Sequence, residues 1–139
     1  MLRRGDYVLC NFPFRESSGP GPTAHIALCA ATGRQGDTDF AIVFYTTSQT
    51  EYHGERRPPQ YLFVSEARAK ELGQRSAFQV DASRVARLPL TPDYFPEIAG
   101  NTIRVRGHDP DFVTRVEGRL RELIANRFEI TRVDAVRRA

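Results

Sequence analysis

The sequence is poor in several residue types that mark particular protein classes. It has no tryptophan, one methionine, two cysteines and a single lysine, and no apolar run reaches the roughly 18 residues of a membrane-spanning helix. Cys10 and Cys29 each lie in an apolar segment without a second cysteine or a histidine at metal-ligand spacing. We therefore expect two reduced, buried thiols, no metal site and no cofactor. The first residues lack the apolar segment of a secretory signal, which predicts a cytoplasmic protein.

Arginine supplies nearly all of the positive charge. Lys and Arg together number 20 against 17 Asp and Glu, so the formal net charge is +3, and Lys70 is the only lysine. The planar guanidinium group suits phosphates and the edges of bases, and a small positive charge permits a nucleic-acid partner without requiring one. The alternative explanation of the arginine enrichment is the compositional bias of a GC-rich genome. No nucleotide-binding glycine motif and no Cys/His/Ser set typical of acyl transfer is present.

A length of 139 residues predicts one domain, and its apolar pattern predicts mostly short strands. The predicted strands cover residues 7–12, 24–31, 40–45, 60–64, 76–80, 84–88 and 102–106. A two-turn helix is predicted after Ser65, and a longer amphipathic helix after Asp109. Order in residues 127–139 is left open. Strands in series with helices gathered late predict a mainly β fold, namely a small, mostly antiparallel barrel with peripheral helices.

The third predicted strand ends abruptly in four polar residues, Thr46, Thr47, Ser48 and Gln49. Hydroxyl groups held at the end of a rigid strand are well placed to contact a phosphate group. The alternative is that these residues only begin a turn, where Ser and Thr are common.

Several motifs, taken in order, resemble the MazF/PemK/Kid family, the toxins of bacterial type II toxin–antitoxin systems. The motifs are Arg4-Gly5-Asp6 before an apolar strand, Asn11-Phe-Pro-Phe14, Ala27-Leu28, Tyr45-Thr-Thr-Ser-Gln49, and Phe78-Gln-Val-Asp81 followed by Arg84. The similarity covers roughly residues 3–125, and the predicted C-terminal amphipathic helix agrees with it.

The resemblance implies an SH3-like barrel over residues 1–126 that forms a homodimer and is inhibited by a cognate antitoxin protein. It also implies metal-independent cleavage of single-stranded RNA, in which the 2′-hydroxyl attacks the adjacent phosphate. By position, Thr47 or Ser48 corresponds to the hydroxyl that contacts the scissile phosphate. Asp81 and Arg84 correspond to polar residues that line the same groove.

The sequence departs from the family pattern at two cationic positions. Where the family has Arg-Pro at the start of the second strand, this chain has His25-Ile26, and a second family arginine corresponds to Gln79. Histidine exchanges protons near neutral pH far better than arginine does, so we hypothesise that His25 takes part in proton transfer. The predicted catalytic residues are His25, Thr47, Ser48 and Asp81. The predicted RNA-binding residues are Arg15, His53, Arg56, Arg57, Gln79 and Arg84.

Other interpretations of these residues stay open. His25 could simply bond to a neighbouring backbone group, Asp81 could be a turn residue, and His53 and the Arg56–Arg57 pair could be solvated loop residues. The chain could also be a barrel of the same class that binds nucleic acid without cutting it. Further possibilities are poisoning of a protein target such as a topoisomerase through the C-terminal helix, and an accessory role without catalysis.

Overall fold

The computed structural model describes residues 1–13, 19–49 and 57–136, and within them the fold is mainly β. The elements, in chain order, are β1 (Tyr7–Cys10), β2 (His25–Gln35), β3 (Thr38–Thr47), β4 (Tyr61–Val64), α1 (Glu66–Glu71), β5 (Phe78–Pro89), β6 (Ile98–Ala99), β7 (Thr102–Ile103), α2 (Pro110–Ala125) and β8 (Thr131–Asp134). The mainly β composition with two helices confirms the class predicted from the apolar pattern.

Six strands form one sheet. Its order is β1-β2-β3-β5-β4, and β8 also pairs with β5. Each pair along this path is antiparallel, as the sequence pattern predicts, whereas β8 runs parallel to β5, so the sheet is mixed. Strands β6 and β7 form a separate two-stranded ribbon.

Three details differ from the predicted strands. The two strands predicted over 76–80 and 84–88 are one strand, β5, because residues 82–84 form a bulge and the chain does not reverse between them. The strand predicted over 102–106 is only the two-residue β7. The segment whose order was left open contains β8, whose pairing with β5 depends on residues far away in the sequence.

Both faces of the sheet are covered, and this gives two apolar clusters. One cluster packs α1 and α2 against the sheet, with Phe44 and Val80 from the strands and Val116 from α2 among its buried residues. The other lies on the opposite face, where Phe95 from the segment after β5 packs against Cys29 and neighbouring residues. Alternation along each strand therefore decides which cluster a side chain joins.

The two helices begin at the residues that the sequence predicts as caps. The Ser65 hydroxyl accepts a hydrogen bond from the backbone N–H of Arg68 at 3.1 Å, and Asp109 accepts one from Phe112 at 3.3 Å. The predicted apolar stripe of α2 is buried at four positions and partly buried at Leu120, whereas Ile124 at its end is 45% exposed. No helix in the described part of the chain is both long and apolar enough to cross a bilayer.

The N-terminal segment is tied to the loop before α2. The buried carboxylate of Asp6 accepts a hydrogen bond from the backbone N–H of Arg3 at 2.8 Å, and its other oxygen lies 2.7 Å from Nδ1 of His108. Gly5 adopts a φ of +96°, and a Cβ at this position would lie 2.5 Å from the backbone nitrogen of Pro110. Glycine is required here by both the backbone angle and the close approach.

We expect Gly5→Ala to lower the free energy of unfolding by at least about 2 kcal/mol, because the left-handed φ and the contact with Pro110 both penalise a side chain. The matched control is Gly118→Ala within α2, where the added Cβ meets only a side-chain nitrogen at 3.9 Å. That change should raise stability by about 0.5–1 kcal/mol. Urea denaturation measures both, and equal effects of the two substitutions would contradict the tight packing at Gly5.

Candidate nucleic-acid interface

The candidate site is built on the bulge in β5. The pairing of β3 with β5 jumps from Phe44 opposite Val85 to Tyr45 opposite Asp81, which leaves residues 82–84 without partners on β3. At the same place β5 changes its neighbour on the other edge, since β4 pairs with residues 78–81 and β8 with residues 84–87. A bulge of this kind bends the strand and redirects its side chains.

Asp81 holds the bulge closed. One oxygen of its buried carboxylate accepts hydrogen bonds from the backbone N–H and from the hydroxyl of Ser83, at 2.9 and 2.6 Å. The backbone N–H of Ala82 donates to the carbonyl of Gln60 at 2.8 Å, so a polar group freed by the bulge is satisfied. In the structure, therefore, the side chain of Asp81 positions the backbone of the bulge in β5.

The bulge carries Arg84 onto an aromatic surface. The guanidinium carbon of Arg84 lies 3.9 Å from the centre of the Tyr45 ring and 5.4 Å from the centre of the Phe12 ring. Its Nε is buried without a hydrogen-bond partner, and Arg84 forms no ion pair with an acidic residue in the described part of the chain. Arg84 thus presents positive charge that no acidic residue of the described segments neutralises in an ion pair, which favours an anionic ligand.

His25 also lies next to Tyr45. Its ring centre is 5.0 Å from that of Tyr45, and the imidazole is half-buried. Burial lowers the pKa of His25 below its usual value, and the positive charge of Arg84 lowers it further. At neutral pH the imidazole is therefore mostly uncharged and able to accept a proton.

Three depressions lie around these side chains. The bulge groove, of about 520 Å³, is lined by residues that include Tyr45, Thr47, Gln60, Tyr61, Asp81 and Arg84. The arginine groove, of about 490 Å³, is lined by residues that include His25, Ser48, Arg75, Ser76, Arg104 and Arg106. A smaller cleft of about 140 Å³ shares Tyr45 and Arg84 with the bulge groove and His25 with the arginine groove.

The predicted catalytic residues divide between these depressions. Thr47, Asp81 and Arg84 share the bulge groove, whereas Ser48 faces the arginine groove. The last register pair of β2 and β3 is Ala27 opposite Tyr45. His25 lies two residues before that pair and Thr47 two residues after it, so both lie on the side of the sheet that carries Tyr45. The hydroxyl of Thr47 also accepts a hydrogen bond from the backbone N–H of Gln49 at 3.2 Å.

The predicted RNA-binding residues have varied surroundings. Gln79 is fully buried, and its Nε2 donates to the carbonyl of Gln49 at 2.8 Å. In this structure the side chain of Gln79 therefore holds the backbone just after the end of β3. The guanidinium of Arg57 lies 4.6 Å above the ring of Phe63. Arg15, His53 and Arg56 lie outside the described residues.

Sequence reasoning missed two parts of the site. Tyr45 was assigned only to the apolar strand, although its two-residue separation from Thr47 puts both side chains on one face. Arg75 and Arg104 come from separate loops and carry no local signal that would group them with His25.

A scan of protein-family models found no match to the chain, and no curated protein matches it. The functional argument therefore depends on the site geometry and on the motif resemblance.

We expect the NMR titration midpoint of His25 to lie below its ordinary 6.5, because burial and Arg84 both favour the neutral imidazole. Arg84→Gln should move the midpoint upward, since it removes one of these two causes. Arg132→Gln, an exposed arginine outside the three depressions, should leave it unchanged. Assignment against His25→Gln identifies the resonance, and a wild-type midpoint at or above 6.5 would refute this electrostatic description.

Proposed function

We propose that this chain is a MazF/PemK-like endoribonuclease that cleaves single-stranded RNA by attack of a 2′-hydroxyl on the adjacent phosphate. The observation that carries the proposal is the grouping of a proton-accepting imidazole and a guanidinium around one tyrosine ring, with a threonine hydroxyl on the same face. These are His25, Arg84 and Thr47 around Tyr45. Within the described segments this guanidinium has no ion pair with an acidic residue. Transesterification of RNA needs a base, a source of positive charge and a contact that orients the phosphate.

Arg84 is suited to stabilise charge that develops on the phosphorane. Its guanidinium has no acidic partner among the described residues, and its stacking on Tyr45 fixes the plane of the group. A preorganised cation that is partly shielded from water stabilises a transition state more than a mobile surface cation does. The hydroxyl of Thr47, in the same groove, is available to orient a phosphate oxygen.

His25 is suited to accept the proton of the 2′-hydroxyl. The lowered pKa keeps the imidazole uncharged at neutral pH, and its half-buried position leaves it within reach of a ligand in the cleft. In this arrangement the histidine that stands where the family has arginine supplies proton transfer, and Arg84 supplies the charge. We propose His53, one of the predicted RNA-binding residues, as the acid that protonates the leaving 5′-oxygen.

The groove also offers surfaces for the bases that flank the scissile phosphate. The aromatic rings of Tyr61 and Phe128 line the bulge groove beside Tyr45. Stacking on aromatic side chains is the usual way in which proteins hold unpaired bases. A duplex could not splay its bases in this manner, so the substrate class that fits is single-stranded RNA.

The proposal includes the fold and assembly that the resemblance implies. In it the bent sheet is an SH3-like barrel, the chain acts as a cytoplasmic homodimer, and a cognate antitoxin covers the groove. The support for a barrel is β5, which spans twelve residues, bends at a bulge, and pairs with β4 at one end and β8 at the other. Bulges are the devices by which strands turn the corners of small barrels.

One observation favours a second function, binding of nucleic acid without cleavage. A neutral His25 lacks the fixed positive charge of the arginine that stands at this position in the family. If Arg84 does not replace that charge at the phosphate, RNA would be held and left intact. The two functions differ in a single measurable step, the appearance of cleavage products.

We expect the purified chain to cut single-stranded RNA and to leave a cyclic phosphate and a free 5′-hydroxyl, with no loss of rate in a chelator. His25→Ala and Arg84→Gln should each slow cleavage about 100-fold or more, and Thr47→Ala about tenfold. Thr32→Ala, an exposed hydroxyl on β2 outside these grooves, and Arg132→Gln are the matched controls and should retain full rate. Gel analysis of end-labelled RNA gives the rates and the end groups.

A folded His25→Ala variant with wild-type activity would exclude the imidazole from catalysis. RNA bound by the wild type without any product would establish the second function instead. Induced expression in a bacterium adds a cellular readout, since growth arrest and new primer-extension stops should both disappear in the His25→Ala variant and weaken in the Thr47→Ala variant.

A further inference from the structure

The three depressions described above share lining residues, and this inference rests on the proposed function and extends it. Tyr45 and Arg84 line both the bulge groove and the small cleft, and His25 lines both the cleft and the arginine groove. We propose that the arginine groove binds the sugar–phosphate backbone of the same single-stranded RNA, on the far side of His25 from the bulge groove.

The charges of the two grooves differ in a way that assigns their roles. Among the described residues, the lining of the arginine groove has three arginines and no carboxylate, whereas the bulge groove has Asp81 and Glu129 beside Arg84. Phosphates therefore gain more electrostatic energy in the arginine groove. The bulge groove has the aromatic rings, so it suits bases. An RNA strand that passes His25 would make base contacts in the bulge groove and backbone contacts in the arginine groove.

The three arginines are not equivalent. Arg106 makes a two-point contact with Glu97, at 2.8 Å to each carboxylate oxygen, and its charge is largely used within the protein. Arg104 reaches the same carboxylate only at 3.4 Å and is 66% exposed. Arg75 is exposed and has no ion pair with an acidic residue of the described segments. Arg75 and Arg104 are accordingly the backbone-binding pair, and Arg106 anchors the loop.

Hydroxyl groups complement these cations. Ser48 and Ser76 both line the arginine groove, and hydroxyls commonly bond to phosphate and ribose oxygens. An acidic protein segment would also be attracted to Arg75 and Arg104, but it has no bases to stack on the aromatic rings of the bulge groove. The combination of cationic and aromatic surfaces along one path is typical of sites for single-stranded nucleic acid.

Salt dependence of binding tests the assignment without requiring cleavage. The probe is a short, fluorescent 2′-O-methyl oligoribonucleotide of mixed sequence, which lacks the attacking hydroxyl. Each phosphate contact in a single strand contributes about 0.7 to the slope of log affinity against log salt. We expect Arg75→Gln and Arg104→Gln each to lower the slope by about 0.7 and to weaken binding several-fold. Arg132→Gln should change neither quantity.

The outcomes separate this inference from the proposed function. Unchanged slope and affinity in both groove variants, or an equal loss in Arg132→Gln, would overturn the backbone site even if wild-type cleavage is observed. Reduced slopes in a protein that cuts no RNA would support the backbone site and refute the nuclease. Polyglutamate is the competitor control. If Arg75→Gln weakens polyglutamate binding but leaves RNA binding intact, the groove serves an acidic protein partner and the RNA assignment fails.

Discussion

The candidate site depends on one constraint, the bulge in β5. At the bulge the residue of β5 that pairs with β3 jumps from Val85, opposite Phe44, to Asp81, opposite Tyr45. Without the three additional residues, β5 would pair with β3 in a single register, and the backbone would not bring the side chain of Arg84 above the ring of Tyr45. Asp81 makes the irregular backbone possible, because its carboxylate satisfies both donors of Ser83 inside a low-dielectric interior. A buried polar contact thus determines the position of the cation at the centre of the groove.

Much of the fold follows from local sequence signals, but the bulge does not. The strand segments are apolar runs between polar turns, and Ser65 and Asp109 mark the helix starts by hydrogen-bonding rules that act within one turn. Residues 81–83 carry the composition of a turn, since Asp and Ser bond to nearby backbone groups in turns and in bulges alike. Only the pairing with a distant strand decides between the two. The parallel partner β8 was hidden for the same reason.

The site shows the same division. A polar cluster at the end of an apolar strand indicates where side chains emerge from the sheet, so Thr47 can be selected from the sequence as a candidate site residue. Tyr45, two residues earlier, has a residue type typical of a buried strand, although both His25 and Arg84 lie against its ring. Asp81 and Gln79 combine polar type with burial, and what they do depends on which groups the fold leaves without a partner. That information is absent from any short stretch of sequence.

The closeness of His25 and Arg84 couples ligand binding to basicity. Burial and, after it, the electrostatic field of the positively charged Arg84 lower the pKa of the imidazole in the free protein. An anion seated against Arg84 cancels most of this field at short range, so the proton affinity of the imidazole rises as the anion arrives. The protein would then keep a weak base at rest and obtain a stronger one from its own substrate. The same cancellation would be produced by any competing polyanion, which makes the resting state sensitive to its ionic surroundings.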